Sequence, residues 1–176
     1  YEIKPFLNAV VVDKRHPFPF LNNKEIYAVG KLNSKSGVKL GIISCGGKFG
    51  RVIFLPSQDD EAIGFVLAEE LILHFADRAF DGYKIEEKAL MRITRNADIN
   101  IEESFDDELD FRQNMSVLIS KRKRLCPVRL QLSKSISELT CAELCARLEL
   151  TKKQVFIEKA PLDFSFVFTL FKKAEN

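Results

Sequence analysis

The sequence predicts an α+β fold, with one mixed, largely antiparallel sheet of about five to six strands packed with about four helices. Three observations predict it. β-like runs come first along the chain, helical and β-like runs then alternate, and 46% of the 176 residues are hydrophobic. A chain of this length and composition buries a sizeable core and needs no disulfide or metal to stay folded.

The first part of the chain is predicted to pass from an irregular arm into an antiparallel meander. Residues 1–24 form the arm, because the prolines of HPFPFLNN (16–23) lock φ and push their neighbours toward extended conformations. Three β-like runs follow, with hairpin-forming residues between the first two. They are EIYAVGKL (25–32), VKLGIIS (38–44) and RVIFLP (51–56).

Helices and strands are then predicted to alternate. The apolar run after Asp60 is too long for one strand, so we predict a helix over about 66–78 and allow a short extended piece at Phe65 before it. Residues 103–124 carry a strong helix signature, since acidic residues fill the first turn and basic residues the last. The remaining predicted elements are strands at 87–94, 128–133 and 154–159 and helices at 136–150 and 165–173.

Two arginines near the end of the strand at 87–94 are candidates for anion binding. Arg92 and Arg95 carry guanidinium groups, which bind phosphate bidentately, and Asn96 and Asp98 supply a turn that can fix their direction. Strand alternation places Arg92 on one face of the strand with Leu90 and Thr94. It places Ala89, Met91 and Ile93 on the opposite face. A solvated strand face is the alternative interpretation.

A second basic cluster ends the helix predicted at 103–124. Lys121, Arg122, Lys123 and Arg124 complement the helix dipole, and four residues are too few for strong binding to a nucleic-acid backbone. The formal net charge of +2 adds no long-range attraction. We expect weak contact with a polyanion at most, and an autonomous module that binds phosphoinositide or nucleic acid stays open as an alternative function.

No catalytic constellation or metal site is predicted. His16 and His74 lack an Asp, Cys or Ser partner at an interpretable spacing, so a phosphatase-like enzyme that uses His16 is only a further alternative. The loop CGGKFGR (45–51) lacks the following helix of a phosphate-binding loop. Cys141 and Cys145 could share a helix face, but neither histidine is near them in sequence.

The chain is expected to be cytoplasmic and part of a longer protein. No apolar window approaches the roughly 18 residues of a membrane span, and no export signal opens the chain. It begins at Tyr1 and ends directly after the apolar segment SFVFTLFKK (165–173), so we expect its ends to have been cut from something longer. That segment should pack on absent domains or on another copy.

Four motifs, in order along the chain, resemble one known family. The segments are HPFPFLNN (16–23), RITRNAD (92–98), PVRLQL (127–132) and QVFIEKAPLDFSFVFTL (154–170). They resemble the signatures of the bacterial polyphosphate kinases, of which the first two usually read HPFPFLSN and RVTRNAD. The resemblance runs from about residue 1 to 170. The departures from the family pattern are Asn22, Ile93, Ala160 and Phe164.

The resemblance implies a part of an enzyme and not the whole. Family members are several-fold longer and transfer the terminal phosphate of ATP reversibly to inorganic polyphosphate, with Mg²⁺, through a phosphohistidine. This chain is similar to their middle or head domain, whose α+β fold has been likened to phox-homology modules. His16 and His74 lie outside the family's catalytic motifs, so we expect no catalytic residue, cofactor or metal in this segment.

The resemblance also implies partners and domain limits. A head domain serves dimer formation and shapes the tunnel for ATP and polyphosphate, so we expect a homo-oligomer, the other domains of the longer enzyme and polyphosphate as partners. Peripheral membrane association of the longer protein stays open. The expected division is an arm (1–24), a head domain (25–162) and a helix leading to absent catalytic domains (163–176). The interface or phosphate-contact candidates are His16, Arg92, Arg95, Asn96 and Asp98.

Overall fold

The computed structural model describes residues 7–13, 15–35, 37–46, 50–56, 64–96 and 126–175. Within them a six-stranded sheet has the order β1-β3-β2-β6-β7-β8, and β4 and β5 form a separate pair. The eight strands are β1 (Ala9–Val12), β2 (Ile26–Ser34), β3 (Gly37–Ser44), β4 (Val52–Phe54), β5 (Phe65–Leu67), β6 (Lys84–Arg95), β7 (Pro127–Leu132) and β8 (Val155–Ile157). The helices are α1 (Ala68–His74), α2 (Glu138–Leu148) and α3 (Phe166–Ala174), with 3-10 turns at Ala76–Arg78 and Lys152–Gln154.

The predicted fold class is confirmed. Neighbouring strands of the six-stranded sheet are antiparallel except β7 and β8, which are parallel. Parallel neighbours need a crossover connection, and α2 lies in the chain between these two strands. The helix predicted at 103–124 lies outside the described residues.

Three local predictions were wrong. The arm predicted as irregular contains β1, because its valines lie before the prolines of HPFPF and can pair with β3. The run RVIFLP does not continue the meander, since β4 pairs with β5 and not with β3. The helix predicted at 66–78 is shorter, because Phe65–Leu67 pairs as a strand and the helix ends before Phe75.

Apolar cores lie on both faces of the sheet. On one face Met91 and Ile93 pack with Leu144 and Leu148 of α2, and on the other Leu90 packs with Ile72 of α1. The alternation predicted for the strand at 87–94 is therefore present. Because β6 contributes to both cores, it lies at the centre of the fold.

Strand β6 also fixes the start of α2. Glu87 accepts hydrogen bonds from the Ser137 backbone N–H (2.7 Å), from the Ser137 hydroxyl (2.6 Å) and from the Thr140 hydroxyl. Burial alone would raise the pKa of Glu87, but these hydrogen bonds bring the pKa below its ordinary value. The N-cap of α2 is thus tied to the central strand.

Gly41 of β3 lies close to two buried side chains. A Cβ at this position would lie 2.7 Å from Phe80 Cζ and 2.8 Å from Leu32 Cδ1, and both side chains are buried. We therefore expect Gly41→Ala to lower the free energy of unfolding of the 176-residue chain by about 1–3 kcal/mol in urea denaturation. Gly64→Ala is the control, because its Cβ meets only an ordinary 3.5 Å contact with Leu55. Equal stability of the two variants would contradict the packing described here.

Candidate functional site

The C-terminal end of β6 joins the arm that precedes β2. The Lys24 N–H donates to the Ile93 carbonyl at 2.9 Å, and Arg92 Nε donates to the Lys24 carbonyl at 3.0 Å. Lys24 has a φ of 61°, in the left-handed region that non-glycine residues adopt rarely. The two hydrogen bonds hold this turn of the backbone against β6.

Arg95 holds the arm at a second place. Its backbone N–H donates to Asn23 Oδ1 at 2.8 Å, and its Nε donates to the carbonyl of the buried Leu21 at 3.0 Å. The guanidinium carbon lies 4.2 Å from the centre of the Phe20 ring, in a cation–π contact. Burial lowers the pKa of Arg95. The motif at 16–23 and the motif at 92–98 are therefore in direct contact.

Arg92 connects β6 with the segment before α3. Its Nη1 donates to the Leu162 carbonyl at 2.9 Å, and its Nη2 lies 3.2 Å from Asp163 Oδ2. The side chain is only 17% exposed. Each of its three guanidinium nitrogens thus has a partner within this chain, which leaves little of Arg92 to contact an external phosphate.

Asp163 lies between two arginines. Its Oδ2 faces Arg92, and its Oδ1 accepts hydrogen bonds from Arg51 Nη1 and from the backbone N–H (2.9 Å) and hydroxyl of Ser165. Burial alone would raise the pKa of Asp163, but the hydrogen bonds from Ser165 and Arg51 lower the pKa to about 2. The carboxylate therefore stays charged at neutral pH.

Arg51 completes the junction. Its Nε and Nη2 donate to Glu69 Oε1 at 2.9 and 2.6 Å, and Nη2 also donates to the Asp163 carbonyl at 2.8 Å. Glu69 is 3% exposed and lies in the first turn of α1. An acidic residue in such an apolar helix is stable there because the guanidinium compensates its charge. We call the residues Arg51, Glu69, Arg92 and Asp163 the arginine junction.

A cleft of about 330 Å³ opens beside the arginine junction. Lys24 and Arg51 contribute positive charge to its wall, and Glu25, Glu69 and Asp163 contribute negative charge. The wall therefore offers an anion no excess of positive charge. Glu25 itself accepts hydrogen bonds from Ser44 Oγ and the Tyr27 hydroxyl at 2.6 and 2.8 Å.

The other candidates do not join this cluster. His16 is exposed, with Nδ1 3.3 Å from Asp13 Oδ1, and His74 is exposed at the end of α1. The Asn96 N–H lies 3.4 Å from the Cys126 carbonyl, where β6 ends. Asp98, the loop residues 47–49 and the basic cluster Lys121, Arg122, Lys123 and Arg124 lie outside the described residues.

Two features are absent from the described part of the chain. No three His, Cys, Asp or Glu side chains there are grouped so that they could hold a metal ion, and this includes Cys141 and Cys145. Within the same residues, no helix has both the length and the apolar character to cross a membrane.

Sequence reasoning missed Arg51, Glu69 and Asp163 as site residues. The sequence placed Arg51 only at the end of the loop at 45–51 and the start of the β-like run at 51–56, and Glu69 only within the predicted helix at 66–78. Asp163 did carry a signal, because it lies in the LDFS stretch of the fourth motif, next to a proline-containing turn.

A family model described as "Polyphosphate kinase middle domain" matches residues 1–170. The chain belongs to this family. The resemblance carried by the four motifs is thus confirmed over nearly the whole chain.

Individual polyphosphate kinases show the same relationship. The chain is 35% identical to a polyphosphate kinase of Bacillus anthracis over 179 residues, which cover 98% of this chain and 25% of that protein. It is 34% identical to one from Bacillus cereus, with the same coverage. The middle-domain chain therefore spans about a quarter of the length of these relatives.

A solved structure shares the fold. The crystal structure of polyphosphate kinase from Porphyromonas gingivalis matches 92% of this chain and 22% of that protein, with a TM-score of 0.66 and 17% identity. A match of this kind supports the α+β architecture of the middle domain.

The arginine junction makes Asp163 a specific target for substitution. Its pKa is depressed to about 2, so its contribution to stability is complete above the ordinary carboxyl pKa and is lost as the pH falls through the folded-state pKa. We expect Asp163→Asn to lower the free energy of unfolding by about 1–2 kcal/mol at pH 7. The difference from the unsubstituted chain should shrink at about pH 3, measured by urea denaturation at both pH values.

Glu143→Gln provides a matched control. Glu143 pairs with Arg147 at 3.4 Å on the exposed side of α2, and 43% of its side chain is exposed. Such a pair contributes about 0–1 kcal/mol, so this variant should stay close to the unsubstituted chain. If Asp163→Asn also left the free energy of unfolding unchanged at pH 7, the arginine junction would not contribute to the stability of the domain.

Proposed function

We propose that this chain is the non-catalytic middle domain of an enzyme that transfers the terminal phosphate of ATP reversibly to inorganic polyphosphate. The match of the family over residues 1–170 supports the assignment. The observation that carries the non-catalytic role is the arginine junction, in which the conspicuous charged groups bind one another and the backbone. A phosphoryl-transfer centre would instead need a positioned nucleophile and cations directed at the phosphate.

Arg92 and Arg95 act in this proposal by ordering the arm at 16–24. A partly desolvated hydrogen bond from a charged donor contributes about 1.5–3 kcal/mol to stability. An exposed ion pair contributes about 0–1 kcal/mol. Their bonds to the carbonyls of Leu21 and Leu162 are partly buried and belong to the stronger kind. An arm held in this way presents one fixed surface to a second subunit or to the polyphosphate tunnel.

The reacting groups are assigned to the rest of the longer protein. ATP, Mg²⁺, polyphosphate and a phosphorylated histidine would all bind or lie outside this segment. The exposed positions of His16 and His74 support this assignment, because neither imidazole has a buried partner that would orient it as a nucleophile.

Substitution of both histidines tests where the nucleophile lies. We expect the full-length protein carrying His16→Ala and His74→Ala to keep polyphosphate synthesis from ATP close to that of the unsubstituted protein. The measurement is polyphosphate yield together with incorporation of phosphate from radioactive ATP into the protein. If a variant that remains folded by circular dichroism lost the labelling, the nucleophile would lie in this segment, and the proposal would be overturned.

Substitution of Arg95 tests the ordering role. In the full-length protein, Arg95→Ala removes the hydrogen bond to Leu21 and the contact with Phe20, so subunit association should weaken by roughly tenfold and polyphosphate synthesis should fall with it. Arg78→Ala is the control, because Arg78 is exposed and its guanidinium carbon lies 4.9 Å from the centre of the exposed Phe75 ring. Sedimentation velocity over a concentration series gives the association constants. Unchanged association and synthesis in Arg95→Ala would contradict this role.

A further inference from the structure

Helix α3 is apolar on two sides. Its inner side consists of Phe166, Val167 and Leu170, which are half-buried against the domain. The Phe166 ring lies 6.1 Å from the Phe65 ring and 5.5 Å from the Arg51 guanidinium carbon. These contacts involve only the inner side, so its second apolar side needs a separate explanation.

The outer side is a stripe of phenylalanines. Phe164, Phe168 and Phe171 are 59%, 71% and 63% exposed. Phe168 and Phe171 lie three positions apart on one face of α3, where such a pair can act as anchors for a groove. Phe164 lies just before the helix, and its ring is 6.3 Å from the Phe166 ring. No residue of α3 is buried, although its apolar face is broad, and such a face is normally covered. We call Phe164, Phe168 and Phe171 the outer stripe.

The outer stripe is held in a fixed direction. Asp163 and Ser165, immediately before the helix, are bonded to Arg51, and Asp163 also contacts Arg92. The start of α3 is thus attached to both β4 and β6 through charged side chains. A partner that binds a preorganised stripe has less conformational entropy to lose than one that must first order the helix.

We propose that the outer stripe inserts into an apolar groove formed by the part of the full-length protein that lies outside residues 1–176. The inference rests on the proposed function, since it takes this chain to be one domain of a longer polypeptide. In the relatives, the matched segment is only a quarter of the protein, and the family match ends at residue 170, within α3. Most of each relative therefore lies outside the segment that this chain matches.

Attachment favours this occupant over a second copy of the chain. A tethered partner meets the stripe at a high effective concentration, whereas a second molecule must also lose its translational and rotational freedom. The last turn of α3 carries Lys172 and Lys173, so the groove should be apolar along its length and acidic where the helix ends. The groove would thus recognise three phenyl rings and a basic terminus.

Radical footprinting of the unsubstituted full-length protein tests the inference without any variant. The oxidation rate of each residue in the native protein is divided by its rate in denaturant, which removes the intrinsic reactivity of the side chain. We expect Phe168 and Phe171 to give ratios near that of the buried Phe80, which is 4% exposed, and far below that of Leu139, which is 78% exposed. Ratios near that of Leu139 would overturn the inference.

A charge inserted into the stripe gives the second test. In full-length Phe168→Glu, the groove must release the helix, so the oxidation ratios of Phe164 and Phe171 should rise toward that of Leu139. Leu139→Glu adds the same charge at an exposed position of α2 and should leave both ratios unchanged. A Phe168→Glu protein in which Phe164 and Phe171 remain protected would also overturn the inference.

Two further measurements on the full-length protein distinguish which partner covers the outer stripe and whether the proposed function holds. Lysine cross-links from Lys173 are mapped in a mixture of isotopically light and heavy chains: links within one isotope support the proposed occupant, and mixed links with a second copy overturn it. Polyphosphate synthesis by the unsubstituted protein reports on the proposed function independently. A protein that synthesises polyphosphate but has an exposed outer stripe would contradict this inference alone. A protein that does not synthesise polyphosphate would contradict the proposed function.

Discussion

The contact of one carboxylate with two guanidinium groups holds together parts of this chain that are far apart in sequence. Asp163 meets Arg51, which directly precedes β4, and Arg92 from the central strand, and Arg51 in turn compensates the buried Glu69. Charges withdrawn from water are stable only when each has a partner of opposite sign in good geometry. The position of α1, the start of α3 and the end of β6 therefore depend on one another.

This constraint decides what the arginines of the motif at 92–98 can do. A guanidinium that donates to backbone carbonyls is bound by the domain itself, and it orders the segments whose carbonyls it meets. Arg95 and Arg92 order the arm at 16–24 in this way, and Arg92 also holds the segment before α3. The domain thus emerges as a rigid scaffold with two fixed surfaces, the arm and the outer stripe, and both are suited to contacts with neighbouring protein.

Local sequence patterns predicted the parts of the fold that depend on periodicity. The alternation through Ala89, Met91 and Ile93 identified the central strand and its two faces, and Ser137 begins α2 within the helix predicted at 136–150. Strand pairing was harder, because the valines of β1 and the short β4 acquire partners only through contacts distant in sequence. A periodicity argument could not have found that Phe65–Leu67 pairs with β4 and shortens the helix predicted after it.

The site residues, like the strands, could be predicted only where a local sequence pattern marked them. The motifs indicated Arg92 and Arg95 from their spacing, but no local signal linked them to Arg51 or to Glu69, which lies beside Glu70 within an otherwise apolar run. Only the fold brings these charges together, and it does so in a way that neutralises them.

The central claim is that this domain supplies structure while the group that carries phosphate lies elsewhere in the polypeptide. Its most direct test is to label the full-length protein with radioactive ATP and map the labelled peptide under conditions that preserve phosphohistidine. The account predicts that all of the label falls outside residues 1–176, and a labelled peptide from within them would contradict it.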